Sequence, residues 1–67
     1  MKIPSKGPFT LPYQNGTIEV WYDRYTHSWV VQTKDSEGNQ TGPNSDGSAS
    51  YVFTRDEAVR EVQTLLN

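Results

Sequence analysis

Residues 17–34 read TIEVWYDRYTHSWVVQTK, and this stretch decides the fold. It contains two segments rich in β-branched and aromatic residues, 17–23 and 28–34, which is the composition typical of strands. The polar turn between them, 24–27, is short enough to join antiparallel neighbours. The stretch therefore predicts a β-hairpin.

The alternation of residues in this hairpin assigns its side chains to two faces, because successive residues of a strand point to opposite sides. On the first strand, one face carries Ile18, Val20 and Tyr22. Placing Trp29 and Val31 beside them buries the larger area, so these five residues form the predicted core face. The second face, which is partly apolar, then carries Glu19, Trp21, Asp23, Val30 and Gln32.

Another hairpin is predicted on the N-terminal side. Apolar residues occupy alternate positions in the segment 9–13, and Asn15-Gly16 is a strong signal for a tight turn whose residues have positive φ. Pro12 restricts this strand to an edge of the sheet. Residues 1–8 contain two prolines and no apolar run, so we expect an extended lead-in there and no secretory signal.

The C-terminal part combines a polar loop with a helix. In the segment 38–50 nearly every residue is Gly, Pro, Asn, Asp, Ser, Thr or Gln, and such a loop is expected to be either functional or disordered. After a short strand at 50–53, Thr54 and Glu57 match a capping box and begin a helix over 55–66. The helix carries one apolar stripe, formed by Ala58, Val62, Leu65 and Leu66.

Together these elements predict an α+β domain in which a small antiparallel sheet of three to four strands is packed by one C-terminal helix. A single domain spans residues 1–67, with the sheet and its loop in 9–53. In so short a chain a few large side chains have to supply the core. The predicted contributors are the aliphatic residues that alternate along the strands, together with seven aromatic residues: Phe9, Trp21, Tyr22, Tyr25, Trp29, Tyr51 and Phe53.

Composition and charge narrow the classes of function. Six basic and eight acidic side chains give a net charge of −2, which does not favour binding to a phosphate backbone. The chain has no cysteine, so it lacks disulfides and thiolate–metal sites, and a cytoplasmic location is predicted. No segment has the roughly 20 apolar residues of a membrane span.

Neither a catalytic centre nor a metal site is predicted. His27 is the only histidine, and no nucleophile elbow or spaced acid pair accompanies it. The segment 44–48 resembles the start of a calcium loop, but Arg55 stands where such a loop needs a bidentate Glu. The chain is therefore interpreted as a non-enzymatic protein without a cofactor.

Part of the sequence is similar to a DNA-binding family. Residues 28–39 read SWVVQTKDSEGN, a strand with Trp before a D-x-x-G turn; residues 51–58 read YVFTRDEA, a strand ending in F-x-T before a helix that opens with E-A. This pattern resembles the βββα arm-binding N-terminal domains of phage-type tyrosine integrases and the AP2-like domains. The resemblance implies a sheet that enters the DNA major groove through basic side chains, which here are Arg24 and Lys34. Trp21 is a candidate for stacking on a base.

A protein-binding module is the leading interpretation from the residues, because the second face is nearly neutral and carries an aromatic anchor. Its candidate contacts are Glu19, Trp21, Asp23, Tyr25, Val30 and Gln32. Cys-free domains of this size are typical of phage and mobile-element products, so the hypothesis is an inhibitor or adaptor that binds a host protein.

Three other readings stay open. The nucleic-acid-binding domain implied by the resemblance is the alternative function. The edge strand 9–13 could instead pair with a strand of a partner protein. Trp21 could also have a purely structural role, covering the sheet beneath the lead-in or the polar loop.

Overall fold

The sheet is built on the predicted central hairpin and extends to both sides of it. A computed structural model of the chain describes residues 3–67, so Met1 and Lys2 of the predicted lead-in lie outside the described residues. The elements follow in chain order as β1 (Phe9–Tyr13), β2 (Gly16–Asp23), β3 (Ser28–Lys34), β4 (Gln40–Gly42), β5 (Ser50–Val52) and α1 (Arg55–Leu66).

All pairings in the sheet are antiparallel. β1, β2 and β3 lie side by side, and the remaining edge of β3 is shared by β4 near one end and by β5 near the other. The predicted α+β class is confirmed, with five strands in place of the expected three to four.

The β2–β3 hairpin confirms most of the predicted core face. Its register pairs Val20 with Val31, and both side chains are buried together with Ile18. The helix packs on this face through Ala58 and Val62, which are fully buried. The core cluster consists of Phe9, Leu11, Ile18, Val20, Val31, Ala58 and Val62.

This core is mostly aliphatic, so the aromatic part of the expected core is largely wrong. Phe9 is the one predicted aromatic contributor that is buried. Tyr25, Phe53 and Tyr51 are 96%, 83% and 58% exposed. Tyr25 lies in a turn, Phe53 lies in the connection to α1, and Tyr51 lies on the sheet face opposite the helix, so none of them can reach the core.

Tyr22 and Trp29 sit at the margin of the core face. They pair across β2 and β3, and their rings meet edge to face with centroids 5.7 Å apart. Trp29 is partly buried against the core, whereas Tyr22 is exposed, so the prediction of a buried Tyr22 was wrong. Both rings lie close to the turn, at the end of the hairpin.

The β1–β2 turn lies one residue earlier than predicted. Tyr13 pairs with Gly16, so the turn residues are Gln14 and Asn15, and Gln14 has a positive φ of 53°. Gly16 is needed because of close packing: a Cβ at this position would overlap the backbone carbonyl of Lys34. The glycine therefore allows β2 to begin in contact with the end of β3.

The polar segment 38–50 contains β4 and an organised turn, which corrects the expectation of a featureless loop. Asp35 closes the β3–β4 turn, because its carboxylate accepts from the Asn39 amide, and this bond lowers the pKa of Asp35. The Asp46 carboxylate accepts from the hydroxyl and the amide of Ser48, which lowers its pKa in the same way. Local hydrogen bonds rather than apolar burial shape this segment.

α1 begins as predicted. The Thr54 hydroxyl accepts from the Glu57 amide while the Glu57 carboxylate accepts from the Thr54 amide, which is a capping box. Leu66, assigned to the apolar stripe, is exposed near the end of the helix.

The helix has 12 residues. Within residues 3–67 there is no helix of the length and apolar character required to cross a membrane.

Arg55 fastens the lead-in to the start of the helix. Its guanidinium donates to the carbonyl oxygens of Gly7, at 3.1 Å, and Pro4, at 2.6 Å. The same group lies over the Phe9 ring, 5.3 Å from the centroid, in a cation–π contact. Ile3 adds an apolar contact to the core. One side chain therefore joins the lead-in, β1 and α1.

Replacing Gly16 by Ala is expected to destabilise the domain by about 2–3 kcal/mol, because the new methyl group meets backbone atoms that cannot turn aside. Urea or thermal unfolding measures this loss, which should lower the melting temperature by roughly 10 °C or more. Gly38→Ala is the matched control: φ is +84° there but the space is open, so its loss should be about 1 kcal/mol. Equal losses would contradict the close approach of β2 to Lys34.

Arg55→Gln is expected to release the lead-in while leaving the core intact. Trypsin should then cleave after Lys6 faster than in the wild-type chain, because the segment has lost its two carbonyl contacts. Mass spectrometry of the digest gives the rate at this site. Arg60→Gln, on an exposed part of the helix, serves as the control, and equal cleavage rates in both variants would contradict the role of Arg55.

Candidate functional site

The sheet face opposite α1 is the candidate site, and it is termed here the open face. The strand registers place on it the side chains of Thr10, Thr17, Glu19, Trp21, Val30, Gln32, Lys34 and Tyr51. The helix packs on the other face. In the part of the chain that the structure describes, no helix or strand covers the open face.

A row of apolar side chains crosses the open face. Val30 of β3 pairs with Trp21 of β2 on one side and with Tyr51 of β5 on the other. Val30 is only 1% exposed although it does not belong to the core cluster, so its neighbours on the open face cover it. Val30, a predicted contact residue, therefore supports the two aromatic residues from beneath and is not itself accessible.

The two aromatic residues of this row differ in exposure. Trp21 is half-buried and Tyr51 is 58% exposed. Sequence reasoning assigned Tyr51 to the core and so missed it as a site residue. A strand of three residues is too short for alternation to fix its faces, and only the pairing of Tyr51 with Val30 reveals the side on which it lies.

Polar side chains occupy the neighbouring part of the open face. Lys34 Nζ lies 3.2 Å from Glu19 Oε2, and the Thr17 hydroxyl donates to the same oxygen at 3.4 Å. Gln32 pairs directly with Glu19 and is half-buried. The lysine of this face is thus neutralised by a carboxylate, and the face has no excess of positive charge.

Asp23, the last residue of β2, stabilises the β2–β3 turn that contains Tyr25. Asp23 Oδ1 accepts from the Tyr25 amide at 2.9 Å, so this carboxylate holds the turn in shape. Tyr25 is 96% exposed. Phe53 follows Val52, which pairs with Trp29 close to the same turn. The exposed aromatic rings are therefore collected at this end of the sheet.

The three residues of the nucleic-acid alternative do not form a cluster. Arg24 follows the last residue of β2, whereas Lys34 pairs with Thr17 near its beginning. At about 3.3 Å per residue, the two cations are roughly 20 Å apart along the strand, with Trp21 between them. Each cation would have to contact a phosphate independently.

An open cleft of about 430 Å³ lies beside Trp21. Pro8, Thr10 and Glu19 form part of its lining. The cleft opens on the same side of the sheet as the apolar row, so it could hold a protruding side chain of a partner. Residues 3–67 contain no group of three or more His, Asp or Glu side chains that could hold a metal ion.

The outer edge of β1 offers little to a partner strand. Pro12 has no amide and pairs with Thr17, so it occupies a position that does not hydrogen-bond to β2. Hydrogen-bonded and non-hydrogen-bonded pairs alternate along an antiparallel ladder, so the N–H and C=O groups of Thr10 also point away from β2. Pro8 is the next outward position and also lacks an amide. Thr10 is therefore the one residue of this edge with an outward N–H.

The resemblance to integrase arm-binding and AP2-like domains stays a prediction from the residues quoted above. No protein-family model, curated protein or solved structure matches the chain.

Proposed function

We propose that this chain is a non-enzymatic protein-binding module that contacts its partner through the open face. The observation that carries the proposal is the row formed by Trp21 and Tyr51 over Val30, accessible on a face that no described element covers. Tyr and Trp are among the residues that contribute most to protein interfaces. An apolar centre beside polar groups is also the usual arrangement of such interfaces.

The charges of the open face favour a protein over a nucleic acid. Binding to a phosphate backbone depends on clustered Lys and Arg side chains that release counterions. Here Lys34 is paired with Glu19, and Arg24 lies at the far end of the hairpin. Asp23 and Glu19 on the same strand would repel phosphates, whereas a neutral protein surface would not be repelled.

The outer edge of β1 is a poor template for a partner strand, so we expect the chain to contact its partner through side chains. Pro8 and Pro12 remove the outward amides on either side of Thr10. A partner strand would find too few donors there to form a ladder. The chain would therefore act by covering part of a partner's surface, which is how an inhibitor or adaptor of a host protein would work.

Tyr51→Thr is expected to reduce partner binding at least tenfold and to leave the fold intact, because the side chain is mostly exposed and Thr keeps the strand propensity. The measurement is capture of proteins by the immobilised chain from a lysate of the cells that produce it. Trp21→Thr should reduce capture as strongly. Its melting temperature should fall by a few degrees, since Val30 loses part of its cover.

Gln63→Ala is the control for this experiment, because Gln63 is exposed on the helix, away from the open face. It should bind like the wild-type chain. Retained capture by both Tyr51→Thr and Trp21→Thr would show that the open face is not the binding surface. Complete unfolding of Trp21→Thr would assign Trp21 a structural role and leave Tyr51→Thr as the decisive variant.

Duplex DNA at low salt is expected to show no steeply salt-dependent binding to this chain, because its open face offers no free cluster of cations. Titration of fluorescently labelled DNA, repeated at increasing salt, tests this expectation. Micromolar binding with a steep salt slope, reduced in Arg24→Gln and Lys34→Gln, would support the DNA-binding alternative and contradict the proposed function.

A further inference from the structure

We infer that the cleft beside Trp21 receives an arginine side chain of the protein partner. The inference rests on the proposed function, because it names the chemistry of the partner that contacts the open face. Three features of the cleft carry it: its shape, the carboxylate in its lining and the indole ring beside that carboxylate.

The cleft is a recess between β1 and β2. The backbone of Phe9 and Val20 forms its floor, because the side chains of both residues are buried on the opposite face. The volume is about 430 Å³, which is ample for the end of one long side chain. The residues that surround the recess are Pro8, Thr10, Glu19 and Trp21.

Arg55 holds one wall of the recess in place. Its guanidinium donates to the Gly7 carbonyl and lies over the Phe9 ring, so the residues on both sides of Pro8 are fixed. A surface that is already formed loses less conformational freedom when it binds. The recess therefore does not have to be assembled by the partner.

Glu19 is the one charged residue in the described lining of the cleft. Its Oε2 atom accepts from the Thr17 hydroxyl and lies 3.2 Å from Lys34 Nζ. Both contacts involve Oε2, so Oε1 keeps its capacity to accept hydrogen bonds. An apolar side chain in the cleft would remove water from this carboxylate without replacing its hydrogen bonds, whereas a cation would replace them.

The surroundings of Trp21 also favour a cation. Glu19 and Asp23 lie two residues before and two residues after it on the same strand, so both carboxylates share its face. The lysine nearest to this part of the face, Lys34, is already paired with Glu19. A cation placed over the face of an indole ring is attracted by the ring itself, and Trp is the best of the aromatic residues for this contact.

Arginine fits these groups better than lysine does. Thr10 pairs directly with Glu19 at a position that does not hydrogen-bond, where facing side chains lie closest, so its hydroxyl and the carboxylate are within reach of one group. A guanidinium is planar and carries several donors, so it can stack on Trp21 while it donates to both. A lysine ammonium is compact, strongly hydrated and unable to stack in this way.

The probe for this inference is N-acetyl-arginine amide, titrated into the full isotope-labelled chain. NMR follows the Trp21 indole N–H and the backbone amides of Thr10 and Glu19. We expect shifts that saturate with a dissociation constant of roughly 1 mM, the range open to so small a ligand. Absence of saturation up to about 100 mM overturns the inference.

Two further probes separate charge from shape. N-acetyl-citrulline amide has nearly the shape of the arginine probe without its charge, and N-acetyl-leucine amide offers apolar contact alone. Each should bind at least about fivefold more weakly than the arginine probe, because neither gives Glu19 a charged donor. Equal or tighter binding of either one overturns the inference.

Glu19→Gln should weaken binding of the arginine probe at least about fivefold, because it removes the charge and keeps an acceptor. Glu37→Gln, in the exposed β3–β4 turn, is the matched control and should bind like the wild-type chain. Lys34→Gln should strengthen binding about twofold, because Glu19 then has no competing cation. Wild-type affinity in Glu19→Gln, or weaker binding in Lys34→Gln, overturns the inference.

The two proposals fail in different ways. Capture of a lysate protein that depends on Tyr51 but not on Glu19, by a chain with no preference for the arginine probe, overturns this inference and leaves the protein-binding function in place. Capture that neither Tyr51→Thr nor Trp21→Thr reduces overturns both.

Discussion

The pairing of Val20 with Val31 in the β2–β3 ladder is the constraint on which the rest of the structure depends. It sets which side chains of the two longest strands point toward the helix, because strand side chains alternate between faces. A slip of one residue would exchange the two faces and place Trp21 and Glu19 beneath α1. Ala58 and Val62 of the helix are small and fully buried. They can pack closely on the sheet because this register points aliphatic side chains toward them.

The same register makes the open face. Because Val20 and Val31 point toward the helix, Trp21 and Val30 have to point away from it. β5 then adds Tyr51 to the row, since it pairs with β3 in a register that also places Val52 on the core side. The alternation that points one set of side chains into the core therefore also points the other set onto the candidate site.

The sequence indicates those parts of the structure that depend on short-range patterns. The central hairpin, the capping box at Thr54 and Glu57 and the helix can each be read from neighbouring residues. The interactions that were missed join distant parts of the chain: Tyr51 with Val30, Arg55 with the lead-in, and β4 with β3. The Asn15-Gly16 pair predicted a turn, but it gave no sign that Gly16 lies against the backbone of Lys34. Trp21 was correctly placed on the second face, but the exposure of Tyr51 required the pairing of β5.

The edges of the sheet bear on the proposal that the open face is the binding surface. Pro12 of β1 and Pro8 just before it provide no outward amides. The opposite edge is divided between two strands of three residues each, which are too short for a continuous ladder. The remaining face of the sheet is covered by α1. A chain this short buries a small fraction of its surface, so large side chains remain exposed to solvent. Among exposed side chains, Trp and Tyr bury the largest area when they pack against another surface. Since both edges are poor templates for strand addition and α1 covers one face, the proposed binding relies on the side chains around Trp21 and Tyr51.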